Sequence, residues 1–307
     1  MPRRRITDAV IVLGVAAAFA LLPGLYSNQV LLFDGMMYLV LALGVNVLYG
    51  FTGYLPFGYV GFYGAGVYAA SVGILLLHLP PALAVVGGAV VSMALALLLS
   101  PLLRLSGAYF AIASLAASQA IYLVVSNPAL QTLTGGPYGV NLPVTSFDPT
   151  GSYLTMCAIT ALGLAVVLHL RRSSLGMELE ALRDDPSSAG MAGVHVVQRR
   201  VLAWLVSAAL AGLVGGAWAW FTSTFYADQV FALNVSIFAI VFTLFGGTGT
   251  LLGPLVGTVL LYGMYNVIGL SDPEYFQLIY GLLILLLVLF LPQGLASLAR
   301  RWKIHVL

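Results

Sequence analysis

Charge is what this sequence lacks. Of 307 residues, 12 are Lys or Arg and 10 are Asp or Glu, 7% of the chain, against 61% hydrophobic residues; a soluble domain has about 25% charged residues. So few charges cannot cover the surface of a soluble protein of this length, so lipid is the solvent for most of it. Cysteine is as scarce. Cys157 stands alone in an apolar segment, which excludes a disulfide framework and a cysteine metal site. Lysine occurs once, at Lys303. The Gly-rich GGTGT at 246–250 therefore lacks the Lys that a phosphate-binding loop requires, and HExxH and GxSxG are missing as well. The chain is read as a non-enzyme without cofactor or metal; if ATP drives its action, another polypeptide must bring the nucleotide. A net charge of +2 is too small to suggest nucleic acid.

Ionisable residues inside apolar runs, which mark proton relays and ion paths in membranes, are nearly missing too. Asp34, Asp228, His78 and His169 fall near the ends of such runs. That disfavours a proton-driven transporter, while a sodium site built from carbonyls would leave no such trace.

What is present is a series of long apolar runs. A spanning helix needs ~20 mostly apolar residues, and ten segments qualify: about 7–26, 32–50, 59–78, 82–103, 107–126, 152–170, 201–225, 233–247, 252–269 and 276–298. The eighth and ninth are short, because the Gly-rich LFGGTGTLLGP turn lies between them and is itself able to dip into the membrane. The first run follows Arg3–Arg5 but is longer than a signal-peptide core and has no small-residue cleavage site, so it reads as an uncleaved span. Lys and Arg collect in cytoplasmic loops. Here they fall only at Arg3–Arg5, Arg104, Arg171–Arg200 and Arg300–Lys303. With an internal N-terminus, ten spans place every cluster inside, and the 127–152 loop, free of Lys and Arg, outside. The expectation is an all-α polytopic membrane protein, N-in and C-in, with one transmembrane domain over 1–307. Small residues recur at four-residue spacing at Ala208, Gly212 and Gly216, and again at Gly253 and Gly257, as close helix packing in membranes requires.

The segment 171–200 differs from its surroundings, with nine of the 22 charges. It is too long for a plain helix connection. Met177, Leu179, Ala181 and Leu182 are helix formers, and Glu180 with Arg183 can pair at i,i+3. Asp185 before Pro186 reads as an N-cap with proline at the first helical position. Two short helices with a break near Asp184–Asp185 are expected. Both charge signs, with Leu182, Met191 and Val194 taken as exposed, suggest a docking surface; the bland alternative is a helix lying on the bilayer.

SSLGMELEALRDDPSSAGMAGV resembles the cytoplasmic coupling segment of permeases in the branched-chain amino-acid ABC importer family, S-x-x-G-x-x-x-x-A-x-R-D-[DN]-x-x-A-A-x-x-x-G-[IV]. Ser173 or Ser174, Gly176, Ala181, Arg183, Asp184, Asp185, Ala189, Gly193 and Val194 match it. YGFTGYLPFGYVGFYGAGVYAA (49–70), SGAYFAIASLA (106–116), LTGGPYGV (133–140), LFGGTGTLLGPLVG (244–257) and LPQGL (291–295) resemble further blocks of that family in the same order. Two departures stand out: Pro56-Phe57-Gly58-Tyr59 where the family has Ser-Leu-Gly-His, and Tyr54 where it has Gln.

The resemblance implies a non-catalytic permease of the bacterial inner membrane. Its implied partners are a second homologous permease, two cytosolic ABC ATPase subunits and a periplasmic substrate-binding protein. Its solutes would be branched-chain or other hydrophobic amino acids, or related small solutes such as urea, amides and aromatic acids. Glu180, Arg183, Asp184 and Asp185 are then candidate polar docking contacts, with Leu182 and Met191 as apolar anchors, while Asp184–Asp185 also fit simple helix punctuation. Tyr54, Tyr59, Phe62 and Tyr63, with amides from Gln119 and Asn234, are candidate path residues; core packing is the alternative for the aromatics and a helix–helix hydrogen bond for Gln119. A stand-alone channel or facilitator, or an assembly scaffold, are the rival readings.

Overall fold

The computed structural model describes residues 28–143 and 148–271, with Gly14, Val15, Phe19, Leu278, Gly281, Leu282 and Leu285 as isolated positions. Apart from those positions, the expected first and last spans, the terminal basic clusters and the LPQGL block lie outside the described residues.

Within them the protein is helical almost throughout. Six helices are long and apolar enough to cross a membrane: Gln29–Gly50, Pro81–Leu98, Gly107–Val125, Pro149–Arg172, Val196–Thr222 and Ala227–Gly246. Two shorter apolar helices, Val60–Leu75 and Leu252–Val267, accompany them. Each of the eight expected runs between 32 and 269 overlaps one of these eight. We label the main helices α1 (Gln29–Val45), α2 (Val60–Leu75), α3 (Pro81–Leu98), α4 (Gly107–Val125), α5 (Pro149–Arg172), α6 (Ser174–Asp184), α7 (Pro186–Met191), α8 (Val196–Thr222), α9 (Leu233–Gly246) and α10 (Leu252–Ser271).

α1 is apolar all round, and nearly all of it from Leu32 onward is buried, as befits a helix at the centre of a bundle. α8 packs across α2 and α3 through glycines. A Cβ at Gly66 would strike Gly212, and one at Gly88 would meet the carbonyls of Gly66 and Gly212 at 2.9 Å each, so the backbones of three helices meet where no side chain fits. The Trp204 indole then donates to the Ala96 carbonyl at 2.8 Å, joining α8 to the end of α3. α9 and α10 form a hairpin just as close: a Cβ at Gly257 would collide with the Phe242 carbonyl. The four-residue small-residue spacing therefore does what it implied. α4 lies at the rim, with Tyr109, Ile112, Leu123 and Val124 exposed.

Two interruptions matter. α1 runs into a π-helical turn, Asn46–Gly50, and 51–59 is not helical beyond its first two residues. The other interruption is the 247–251 turn between α9 and α10. At 16 residues, α2 is about 24 Å long, short of a ~30 Å hydrocarbon core, and the 14 residues of α9 reach spanning length only together with the helical turn before them, from Ala227. At the opposite end of the bundle, Val140–Asn141 pairs antiparallel with Thr224–Phe225, fastening the 127–143 loop to the end of α8.

Candidate functional site

Non-helical backbone at membrane depth survives only where protein or water satisfies it. The stretch 51–59 meets this demand with hydroxyls from other helices. Gly58 N–H donates to Ser114 Oγ on α4 at 3.2 Å, and Val60 N–H donates to Ser236 Oγ on α9 at 2.8 Å. Thr52 Oγ1 turns back to the Leu48 carbonyl at 2.5 Å. The Tyr54 hydroxyl donates to the Leu103 carbonyl at 3.2 Å, and its ring meets Phe110 edge-on at 4.9 Å.

The candidate path aromatics sit inside this packing. Tyr59 is 1% exposed and donates to the Ser207 carbonyl at 2.8 Å. In return Ser207 Oγ donates to the Gly44 carbonyl at 2.7 Å, and Gly44 has no side chain because the Tyr59 hydroxyl occupies that space. Phe62 stands edge-on to Trp204 at 4.8 Å and Tyr63 to Trp218 at 6.0 Å; both are buried. Gln119 on α4 and Asn234 in the first turn of α9 are exposed. The six candidates thus divide into four buried rings and two exposed amides. Beside the rings, Tyr49, Gly53, Leu55 and Phe57 face Ala108, Ala111 and Ile112 of α4 across an apolar cleft of about 500 Å³.

The segment after α5 folds into α6 and α7. Ser173 caps α6 by accepting from Gly176 N–H at 3.3 Å. The break falls at Asp185, which caps α7. Its carboxylate accepts from the Ser188 hydroxyl and from the amides of Ser187 and Ser188 at 3.0 and 3.2 Å, and these hydrogen bonds, the Ser188 hydroxyl first, hold its pKa below the ordinary carboxylate value. Leu179, Leu182 and Ala189 turn inward and join the core. Leu182, expected as an exposed anchor, is 1% exposed: with Leu175 and Leu179 it forms one apolar stripe at four- and three-residue spacing, and that stripe faces the bundle. Met191, at 84%, Glu180, Asp184 and Asp185 are exposed on the outer side. Arg199 pairs with Glu178, closing the segment on itself.

Arg183 lies 3.6 Å from Asp184, and it also reaches into its own chain: Nη1 donates to the Gly50 carbonyl at 2.6 Å. Arg200 lies over the Tyr54 ring, 5.0 Å from its centroid. Asn46 spans the two interruptions, donating from Nδ2 to the Thr250 carbonyl at 2.9 Å and accepting from Gly249 N–H at 2.8 Å. The sequence singled out neither Asn46 nor Arg200. A lone buried amide in an apolar run was the available signal for the first, while Arg200 read only as one more topology charge.

Known proteins bear on this arrangement. The family described as branched-chain amino acid transport system, permease component, matches residues 29–288. The chain is 29% identical over 331 residues to the high-affinity branched-chain amino acid transport system permease protein LivM of Escherichia coli (strain K12), an alignment covering 95% of this chain and 74% of that one. LivM of Salmonella typhimurium is 30% identical over 304 residues, covering 86% and 69%. The probable branched-chain amino acid transport permease protein LivH of Methanocaldococcus jannaschii is 25% identical over 300 residues, covering 91% of each. No solved structure matches. The family match takes in both interruptions, the charged segment and all eight apolar helices, and this multi-pass protein of the bacterial inner membrane belongs to the permease family of branched-chain amino acid transport systems.

Proposed function

We propose that the chain is half of the translocation path in an ATP-driven importer of branched-chain or other hydrophobic amino acids, with related small solutes in the same class. A second homologous permease completes the path, two cytosolic ATPase subunits supply the energy, and a periplasmic binding protein delivers the solute. The observation that carries this reading is the two-sided character of α6 and α7. Their inner side is tied into the bundle by Leu179, Leu182 and Ala189, while Glu180, Asp184, Asp185 and Met191 face outward. A segment built this way has one face to receive a partner and another to pass its movement on.

The rim helix supports the second permease. An amide on a lipid-facing helix is costly in hydrocarbon and marks a bundle interior or a water-filled cavity. Gln119 lies among exposed apolar residues of α4, so this face suits a partner permease and a shared passage. Asn234 joins it as the second exposed amide, and Tyr54, Tyr59, Phe62 and Tyr63 back the passage as a rigid wall. The relatives' printed names support the amino-acid class of solute.

Reconstitution tests the proposal. The purified chain alone in liposomes should show neither ATP hydrolysis nor leucine flux; addition of the second permease, the ATPases and the loaded binding protein should give both. Leucine flux through the chain alone would favour a stand-alone facilitator.

A further inference from the structure

The charged segment touches the membrane helices at more than its greasy underside. Arg183, near the end of α6, donates to the Gly50 carbonyl at 2.6 Å, and its side chain fills the space beside Gly53, where a Cβ would lie 3.3 Å from Arg183 Cγ. The same guanidinium nitrogen stands 3.5 Å from where a Cβ of Gly249 would be. At the other end of the segment, Arg200 covers the Tyr54 ring at 5.0 Å. Gly50, Gly53 and Tyr54 all belong to the interruption after α1, and Gly249 to the one between α9 and α10. Asn46 joins the two interruptions through Thr250 and Gly249.

We propose that Arg183 and Arg200 are positioning residues forming a two-point clamp, through which the 174–200 segment holds both interrupted stretches, 50–54 and 247–250, and moves them as one body. Three physical facts give the clamp its form. A carbonyl at the end of a helix has no intrahelical partner, so Gly50 O is free for a guanidinium. An arginine's planar fork keeps its orientation when it binds, where a lysine would swivel. Glycine at 53 and 249 leaves room for the Arg183 side chain against the backbone, while glycine at 50 leaves room for the Asn46 amide and the Gly249 N–H that join the two interruptions; Gly53 and Gly249 have φ of +79° and +72°, conformations that suit glycine. Arg183 therefore faces the bundle as a link, and the docking surface consists of its outward neighbours. The proposal rests on the importer reading for its purpose, while its geometry is internal to this chain.

The test has two arms that separate those questions. In the first, the full chain in lipid nanodiscs is followed by hydrogen exchange with mass spectrometry. Arg183→Ala and Arg200→Met should each accelerate exchange in peptides covering 50–55 at least tenfold, and Arg183→Ala should do the same at 247–250, with α5 and α8 unchanged. Unaltered exchange in both stretches overturns the clamp whatever the protein transports. Should Arg183→Ala fail to accumulate, Arg183→Lys, which keeps one donor, serves instead and should give an increase of about threefold. In the second arm, the assembled transporter carrying Arg183→Ala should retain its ATPases on co-purification and hydrolyse ATP, with leucine uptake lowered about tenfold. Loss of ATPase co-purification would make Arg183 a docking contact and overturn its assignment as a link. Normal uptake alongside accelerated exchange would overturn the clamp as a carrier of movement. If the wild-type chain moves leucine alone, the importer reading fails and the exchange arm still decides the clamp.

Discussion

Tyr59 shows how a departure from the family pattern settles into a fold. At a position where the resembled family pattern has histidine, this chain places a phenol whose hydroxyl reaches the Ser207 carbonyl and fills the space Gly44 leaves open. Tyr59→Phe removes one buried hydrogen bond, worth about 0.5–1.5 kcal/mol net, with little change in shape, so thermal unfolding in detergent should fall slightly and the fold should persist. Tyr59→His removes bulk as well and should lower the unfolding temperature further than Tyr59→Phe; equal effects would mean that the ring's packing contributes nothing. Asp185 makes a prediction with a sign. Its pKa is depressed by the hydrogen bonds that cap α7, so the cap's contribution is present above the unfolded carboxylate value and is lost as pH falls through the folded one. Exchange at the Ser187 and Ser188 amides, corrected for intrinsic rates, should accelerate below the ordinary value of 3.8. Asp185→Asn, an equally good cap that cannot titrate, should abolish that pH dependence.

Helix packing makes the next prediction, and two adjacent glycines in α3 supply it. A Cβ at Gly88 would press on the carbonyls of Gly66 and Gly212, while at Gly87 nothing lies within 4 Å. Gly88→Leu should prevent accumulation in the membrane, since backbone atoms of two other helices would have to move, whereas Gly87→Leu should accumulate as wild type, with some gain in helix propensity. Equal expression of the two variants would refute the close crossing of α2, α3 and α8. Much at this scale is legible in the sequence: apolar run lengths give the helices, small-residue spacing gives the crossings, and the Asp185-Pro186 pair gives the start of α7. Leu175, Leu179 and Leu182 share one helical face, the mark of a buried stripe, although the charges on both sides of Leu182 suggest exposure. Other contacts leave no local trace. Asn46 meets Thr250 across 204 positions of sequence, and Tyr59 meets Ser207 across 148. No periodicity reports such pairs, and the amide and hydroxyls of Asn46, Ser114 and Ser236 show their purpose only once the interruptions they satisfy are in place.

At the scale of the whole molecule, the contacts among the described residues sort several connections into two ends. One end gathers 50–54, bonded to Arg183 and Leu103; 247–250, bonded to Asn46; and the 173–200 segment, stacked on Tyr54 through Arg200. The other gathers 127–143 and 223–226, joined by the strand pair Val140–Phe225 and Asn141–Thr224 and by the Leu142 amide on the Ser223 carbonyl at 2.8 Å. Arg104, Arg171, Arg172, Arg183, Arg199 and Arg200 all belong to the first end, and the described residues of the second contain no Lys or Arg. Leaving aside the two arginine contacts, the bonds of Tyr54 to Leu103 and of Asn46 to 249–250 still group the first end, and such bonds take no account of the membrane potential or the insertion machinery that favour basic residues on the cytoplasmic side. The agreement of the two divisions predicts that the first end faces the cytoplasm, as an ATPase partner requires. Single-cysteine labelling on a Cys157→Ala background, with an impermeant maleimide on intact spheroplasts, measures it. A cysteine at Gly139 should label from outside, and one at Gly190 only after the membrane is opened. Labelling of both from the same side would break the ten-span topology, and exposure of Gly190 to the outside would leave α6 and α7 out of reach of any cytosolic partner.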